Sequence, residues 1–174
     1  KTLASTEPVV SAFVYRQNPV PSEVILKDYN YRDPLVEQKS QKTVDPDGWG
    51  THYEYGDHFK DLKEGSDLAQ IRAEELRLPK EEYFASSNVP TLLPGPTYEL
   101  KDHYRDDFNR KYLITRSSFR ATQIVPLSGP GRYSSTYENE VIAIAADVPY
   151  RPRRLTPLPR IPGFMHAQVD AAGD

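Results

Sequence analysis

The sequence predicts a mainly β fold of the α+β kind, an antiparallel β-barrel or sandwich with one packed helix. Three observations favour this class. Sixteen prolines and nine glycines are scattered over 174 residues without a period, and prolines interrupt long helices. Twelve tyrosines suit strands and half-exposed surfaces. Most patterned segments are short and β-branched, and a single segment has clear helical periodicity.

Composition narrows the class of protein further. A length of 174 residues fits one domain or two small ones. The formal net charge of −3 does not favour nucleic acid as a partner. The absence of cysteine excludes disulfides, thiolate metal sites and cysteine catalysis. No apolar run approaches the roughly 18 residues that a membrane-spanning helix needs, so we expect no membrane-spanning segment.

Strands are predicted in the first third of the chain. Residues 8–16 (PVVSAFVYR) and 22–31 (SEVILKDYNY) are apolar and β-branched, and 51–59 (THYEYGDHF) is short and aromatic. Residues 36–50 are polar and contain an Asp-Pro-Asp-Gly turn, so they are interpreted as a mobile loop.

One helix is predicted over 66–78, within EGSDLAQIRAEELRLP. Ser66 is the expected N-cap, and Pro79 disfavours continuation of the helix. A second short turn is possible at Pro79. Arg72 and Glu75, three residues apart, are expected to pair. The apolar face comprises Leu68, Ala69, Ile71, Ala73 and Leu76. We expect this helix to pack on a barrel formed largely by 85–148, through Leu68, Ile71 and Leu76.

The second half of the chain predicts a hairpin over 97–122, with a polar loop at 103–110. A rigid Pro94-Gly95-Pro96 turn precedes it. Residues 126–135 are expected to form a flexible loop, and 137–146 (YENEVIAIAA) to form the last strand.

No motif indicates catalysis. His52, Asp57, His58 and Asp61 are residue types that bind divalent metals, but their spacing matches no established pattern, and surface polar residues are the favoured interpretation. Adjacent acids such as Asp106–Asp107 do not face each other across a cleft, as glycoside hydrolysis requires. The serine pairs lack a nucleophile elbow. We therefore expect no enzyme activity, no cofactor and no metal.

The chain ends with a stretch rich in proline and arginine, YRPRRLTPLPRIPG. Prolines keep such a segment extended. The only basic cluster of the sequence lies here, at Arg151, Arg153, Arg154 and Arg160. Arginines on a stiff spacer suit salt bridges to carboxylates of a neighbouring chain.

Four further segments carry a recognisable pattern when taken in order: 20–34 (VPSEVILKDYNYRDP), 53–76 (YEYGDHFKDLKEGSDLAQIRAEEL), 92–115 (LLPGPTYELKDHYRDDFNRKYLIT) and 137–169. Together they resemble the VgrG family, the spike proteins of the bacterial type VI secretion system, which in turn resemble contractile phage tail hubs. The structural positions that match the family pattern are Pro94, Gly95, Leu100, His103, Asn109, Tyr112, Tyr137 and Asn139. In the C-terminal lead, the assembly residues are Tyr150, Arg151, Pro152, Arg153, Pro159 and Gly163. The chain departs from the pattern at Tyr104 and at 116–119.

The resemblance implies a fold of the phage tail hub type and a domain organisation. Residues 1–19 would be a remnant strand of a preceding hub barrel, and 20–148 the hub-like barrel domain. Residues 149–174 would form an extended proline-rich lead toward a small spike-base barrel. The lead would be poorly packed on its own protomer, and its arginines would meet carboxylates of a neighbour, with the surface of the same hub as a second option.

The function implied is structural: part of a trimeric hub that caps the secretion tube and carries the puncturing needle. The implied partners are a homotrimer in the full-length form, a hexameric tube protein, baseplate proteins and spike-borne effectors. The protein would be assembled in the bacterial cytoplasm and then secreted. Three alternatives stay open: the hub of a contractile phage tail or prophage particle, a carbohydrate-binding β-domain that uses the tyrosines, and a tail-associated peptidoglycan hydrolase.

Overall fold

The computed structural model describes residues 8–124, 134–157, 159, 162–164 and 166, which form two sheets and a helix. The strands are β1 (Val10–Gln17), β2 (Glu23–Asp28), β3 (Gln38–Thr43), β4 (Thr51–Tyr55), β5 (Glu81–Ser87), β6 (Thr97–Glu99), β7 (Lys111–Ile124) and β8 (Ser134–Ala145). Helix α1 spans Leu62–Arg77, and short 3-10 turns occupy Leu78–Lys80 and Asp106–Phe108. Residues 126–133 of the predicted flexible loop at 126–135 lie outside the described residues, and its last two residues begin β8.

The larger sheet has five strands in the order β1-β5-β8-β7-β6, and all its neighbours are antiparallel. The predicted mainly β, antiparallel class with one helix is therefore confirmed. The hairpin predicted over 97–122 is also confirmed, because β6 pairs with the start of β7. A longer hairpin of β7 and β8 lies beside it. The sheet curves into half of a barrel, whose edges in the described residues are β1 and β6.

Aromatic rings fill the concave side of the large sheet. Tyr83 on β5 is 2% exposed, and its ring centroid lies 4.8 Å from that of Tyr112 and 5.6 Å from that of Phe13. Phe108, from the loop before β7, lies 6.0 Å from Tyr83 and closes the cluster. Offset and edge-on ring pairs of this kind contribute about 0.5–1.5 kcal/mol each beyond their burial. Tyr83 and Tyr112 thus build the core of this sheet, with Tyr15 and Tyr98 partly buried beside them.

Strand β5 was not predicted from the sequence. The expected turn at Pro79 is present, but the residues behind it form a central strand between β1 and β8. The sequence of β5 begins with Glu81 and Glu82, so it lacks the hydrophobic alternation by which a half-buried strand is recognised. Tyr83 and Ser87 are its buried positions.

The smaller sheet has the order β3-β2-β4 and is mixed, because β2 pairs antiparallel with β3 and parallel with β4. The mobile loop predicted at 36–50 is wrong, since β3 lies within it. Gln38 and Ser40 of β3 are buried although they are polar, and hydropathy alone does not reveal such a strand. Val24 and Leu26 of β2 are fully buried beside them.

Helix α1 begins at Leu62, four residues before the predicted start. Asp61 is the N-cap, and its Oδ1 accepts a hydrogen bond of 2.8 Å from the Glu64 N–H. The Glu64 carboxylate accepts a hydrogen bond of 2.8 Å from the Lys60 N–H. The side chains of Asp61 and Glu64 thus each bond a backbone N–H at the start of the helix. Ser66 lies inside the helix and does not cap it. Among the described residues, no helix is long and apolar enough to cross a membrane.

The helix packs on the small sheet and not on the large one, which corrects the predicted arrangement. Its buried stripe runs through Gly65, Ala69 and Ala73, four residues apart, and Leu68 and Leu76 pack at the flanks. Ile71, predicted to be buried, is 38% exposed, because the narrow stripe of small residues lies elsewhere on the helix.

Gly65 sets how closely α1 approaches the small sheet. A Cβ added there would lie 2.6 Å from Ser40 Oγ and 2.7 Å from a ring carbon of Phe59. Both distances are far inside van der Waals contact, so the absence of a side chain permits the packing.

We expect Gly65→Ala to destabilise the chain by about 1–3 kcal/mol, because the added methyl overpacks the contact with Ser40 and Phe59. This outweighs the gain of about 1 kcal/mol that Ala normally gives within a helix. Urea unfolding measures the change, with Ser66→Ala as the neighbouring control. A Gly65→Ala variant more stable than the parent would contradict the packing described.

Candidate assembly site

The residues considered for a metal site are not brought together. The Nε2 of His52 lies 2.9 Å from Glu54 Oε1, Asp57 is held by Arg72, and Asp61 caps α1. His58 occupies a left-handed backbone position with φ 61°. In the described part of the chain, no three metal-ligating side chains form a group that could hold an ion.

One of these residues, Asp57, belongs instead to a cluster of charged side chains, here called the ionic clamp. It forms where β4, α1 and the C-terminal segment meet. Its members are Glu54, Asp57, Arg72, Glu75 and Arg154. Arg72 Nε lies 3.3 Å from Asp57 Oδ2, and its Nη1 lies 3.2 Å from Glu75 Oε2, so the predicted Arg72–Glu75 pair is confirmed.

Arg154 joins the C-terminal segment to all three carboxylates of the clamp. Its Nη2 lies 2.6 Å from Glu54 Oε1, its Nη1 3.4 Å from Asp57 Oδ1, and its Nε 3.5 Å from Glu75 Oε2. Its backbone N–H also donates to Glu75 Oε1 at 2.9 Å. Side chain and backbone together fix the position of this residue relative to α1.

The clamp is partly shielded from solvent, so its charges interact more strongly than charges on an open surface. The side chains of Glu54, Asp57 and Glu75 are between 13% and 23% exposed, and that of Arg72 is 14% exposed, whereas Arg154 is 44% exposed. Two guanidinium groups face three carboxylates, so removal of either cation leaves like charges close together in partly desolvated surroundings.

A second contact lies beside the clamp. Arg151 Nε is 2.6 Å from Glu74 Oε2, and the other Glu74 carboxylate oxygen accepts a hydrogen bond of 3.0 Å from Gln70 Nε2. The segment predicted to be poorly packed on its own protomer is exposed throughout 149–157, but Arg151 and Arg154 bind carboxylates of the same chain, which the prediction of neighbour contacts did not include. Arg151 of the predicted assembly set binds Glu74, and Arg154 of the same basic cluster binds Glu75, so both arginines hold α1 of the same chain.

The two contacts change carboxylate acidity. Burial raises the pKa of Glu54, but hydrogen bonds from His52 and Arg154 outweigh it, and the net pKa lies below the ordinary value. Hydrogen bonds from Gln70 and Arg151 lower the pKa of Glu74. The folded chain therefore favours the ionised form of both groups.

The motif residues of the 92–115 segment lie around the loop that leads into β7. Gly95 has φ 110°, a conformation that favours glycine, and its N–H donates to the Ile114 carbonyl at 3.2 Å. The His103 N–H donates to Asn109 Oδ1 at 2.8 Å, and Asn109 Nδ2 donates back to the His103 carbonyl at 3.0 Å. This reciprocal pair holds the loop closed over the aromatic cluster.

The remaining motif residues are divided between core and surface. Leu100 packs against the aromatic cluster, and the Tyr112 hydroxyl donates to the Phe108 carbonyl at 2.9 Å. Asn139 is 2% exposed, and its Nδ2 donates to the Val89 carbonyl at 2.8 Å. Tyr137 stacks on Phe119. Pro94 and the lead residues Tyr150, Pro152, Arg153, Pro159 and Gly163 are exposed.

The clamp and the neighbouring Arg151–Glu74 contact were only partly visible in the sequence. The arginine cluster was recognised, and partners on the same subunit were one of two options. The partners Glu54 and Glu74 were not identified, because Glu54 lies in a short strand and Glu74 was assigned to the solvated face of α1. The signal that was available is the position of Glu74 on the polar face of the predicted helix and of Glu75 near the edge of its apolar face.

Comparison with known proteins places the chain in a family. The sequence profile of the phage tail baseplate hub family, GPD, matches residues 1–124. The chain belongs to the phage tail baseplate hub family. Its fold is similar to that of a tail protein from Neisseria meningitidis MC58, with a TM-score of 0.56 and 10% identity over 80% of this chain and 40% of that chain.

The chain is also similar to curated type VI secretion system spike proteins, as the sequence resemblance predicted. It is 32% identical to VgrG3 of Vibrio cholerae over 154 residues, which are 85% of this chain and 15% of that protein. It is 26% identical to VgrG1a of Pseudomonas aeruginosa over 152 residues, 86% of this chain and 24% of that protein. The chain thus spans less than a quarter of either relative's length.

We expect Arg154→Met to lower the free energy of unfolding by about 1 kcal/mol at low salt, a modest value because the side chain is partly exposed. The loss should shrink as salt screens the clamp. Urea unfolding at two ionic strengths measures it. The matched control is Arg153→Met, whose side chain is exposed and should change nothing. Equal effects of the two variants would contradict the clamp.

The pH dependence of stability should follow from Glu54 and Glu74. Both have a folded pKa below the unfolded value of about 4.3. Their contribution is complete above that value and is lost as the pH falls through the lower folded pKa. We expect the difference between the parent and Arg154→Met to vanish over this acidic range. A difference that persists below it would show that Arg154 acts through packing alone.

Asn109→Ala should cost about 1–2 kcal/mol, because it removes two hydrogen bonds to the His103 backbone. Thermal unfolding followed by near-ultraviolet circular dichroism measures both stability and the aromatic cluster beneath the loop. Lys101→Ala, at an exposed position of the same loop, is the control. Unchanged stability of Asn109→Ala would show that the loop closes without this pair.

Proposed function

We propose that this chain is a structural hub segment of a type VI secretion spike, part of a trimeric ring that caps the secretion tube and carries the puncturing needle. Membership of the baseplate hub family and similarity to VgrG spike proteins support the proposal. The observation that carries it in this chain is the ionic clamp. A spike must leave its hub in a defined direction, and the clamp fixes the first residues of the lead against α1.

The proposal includes partners and location. The full-length protein would be a homotrimer, with a hexameric tube protein beneath it and baseplate proteins and spike-borne effectors around it. It would be assembled in the bacterial cytoplasm and then leave the cell with the tube. This segment itself would be non-enzymatic, with no cofactor and no metal, because the contacts of its charged residues serve packing and loop closure.

The predicted domain organisation is kept as part of the proposal. Residues 20–148 would be the hub-like unit and 149–174 the lead toward the spike base. The boundary at residue 19 falls between β1 and β2. Strand β1 nevertheless belongs to the large sheet, since it forms one edge of that sheet by pairing with β5. Loop closure by His103 and Asn109, and anchoring by Asn139, would be the structural roles of the motif residues.

The direct test uses full-length protein. Sedimentation should give three protomers, and the protein should copurify with its tube protein. Arg153→Glu should weaken the trimer at low ionic strength and less at high ionic strength, if Arg153 meets a carboxylate of a neighbour. Lys63→Glu, at an exposed position of α1, is the control. A full-length protein that sediments as a monomer would overturn the proposed ring.

A second candidate is a hub of a contractile phage tail, and the family match itself favours it. Both candidates share the ring and the lead but differ in the particle that contains them. Induction of prophages followed by density centrifugation separates them. Protein found in tail particles supports the phage reading, whereas release together with the tube protein from cells without such particles supports the secretion spike.

A further inference from the structure

Residues 149–157, the first part of the lead, have no apolar packing on the body, which is here the two sheets and α1. Each of these residues is exposed, and Tyr150 and Leu155 are 46% and 84% exposed. Neither hydrophobic cluster of the body contains a residue of this segment. Within the described residues, every hydrogen bond and ion pair from the segment to the body ends on the carboxylates of Glu54, Asp57, Glu74 and Glu75. Charge alone therefore holds the segment.

The spacing of the two binding arginines agrees with the prolines around them. Prolines favour the polyproline conformation, which repeats every three residues, so residues three apart project from the same side. Arg151 and Arg154 are three apart, and both reach carboxylates of α1. Arg153 lies between them, is exposed and forms no ion pair within the described part of the chain. The segment thus presents one cationic side to the body.

The body does not need the segment for its own packing. Within the described residues, its backbone hydrogen bonds end at the turn after β8. There the Ala146 N–H donates to the Lys111 carbonyl and the Val148 N–H to the Ala145 carbonyl, both at 3.1 Å. Ion pairs of partly exposed side chains are weak and are screened by salt, whereas apolar cores are not. Opening of the segment therefore costs much less than unfolding of the body.

We propose that residues 149–157 form a reversible latch. It is closed while Arg151 and Arg154 bind the carboxylates, and it opens, with the body still folded, when salt screens these charges. Screening acts twice, because it weakens the ion pairs and also the repulsion among the clamp carboxylates that an open latch leaves behind. In the full-length protein, the latch would switch the base of the lead between a fixed and a swinging joint. That role rests on the proposed spike function, whereas the latch itself does not.

Trypsin reads the state of the latch, because it must take an arginine side chain into its own pocket before it cuts the chain there. It can cut after Arg153 and Arg154 only in the open latch, since the closed one binds the Arg154 side chain and N–H. The 174-residue chain is digested briefly at neutral pH in low and high salt, and mass spectrometry counts cuts at these two bonds. A free peptide of residues 149–157 gives the intrinsic rate in each buffer.

We expect the chain to be cut at least about tenfold more slowly than the peptide in low salt. In about 1 M salt, where the Debye length is about 3 Å, the two rates should be nearly equal. Near-ultraviolet circular dichroism of the aromatic cluster should be the same in both buffers. Glu75→Gln removes a charged partner of Arg154 and should be cut faster in low salt. Asp67→Asn, the same charge change at an exposed position of α1, should behave like the parent.

Protection that survives high salt would overturn the latch, because contacts other than charge would then hold the segment. Equal cutting of chain and peptide in low salt would overturn it too, as would opening that occurs only together with loss of the aromatic signal. Sedimentation and copurification of the full-length protein test the spike function separately. A latch without a ring and a ring without a latch are therefore distinct results.

Discussion

The balance of charge around Arg154 is the constraint on which the arrangement of α1, β4 and the C-terminal lead depends. Three carboxylates, from β4, α1 and the turn between them, lie within 3.5 Å of its guanidinium. Without Arg154, the single positive charge of Arg72 would face three negative charges. Like charges this close in partly desolvated surroundings repel strongly. The lead therefore contributes a cation that β4 and α1 require, and in return its direction is fixed. Structure and exit direction are coupled through one side chain.

The close contact of α1 with the small sheet makes that coupling possible. Gly65, Ala69 and Ala73 let the helix lie directly on β2 and β3, which brings Glu75 toward Glu54 on the neighbouring strand. Larger residues in this stripe would lift the helix and separate the carboxylates. The aromatic core of the large sheet is independent of this contact, since its rings come from β1, β5, β7 and the loop before β7. The chain thus has one rigid sheet and a helix–sheet unit that holds the lead.

Sequence reasoning predicted the fold class, most strands, the helix and the hairpin of β6 and β7, because these follow from hydrophobic periodicity and turn residues. It failed where polar residues are buried. Strand β3 contains Gln38 and Ser40 facing the helix, and β5 begins with two glutamates. It also placed the helix on the wrong sheet, because amphipathicity identifies a buried face but not its partner. For the site, arginines were recognised, but their pairing with Glu54, Glu74 and Glu75 depends on tertiary contacts over 77 to 100 residues of chain.

The most direct test of the central claim is the distance between the lead and α1 in solution. Nitroxide labels at Asp67→Cys and Leu155→Cys, both exposed positions in a chain without cysteine, report it by pulsed electron paramagnetic resonance. A fixed lead predicts one narrow distance distribution at neutral pH and low salt, which broadens when Arg154→Met is added. A distribution that is already broad with Arg154 in place would contradict the account.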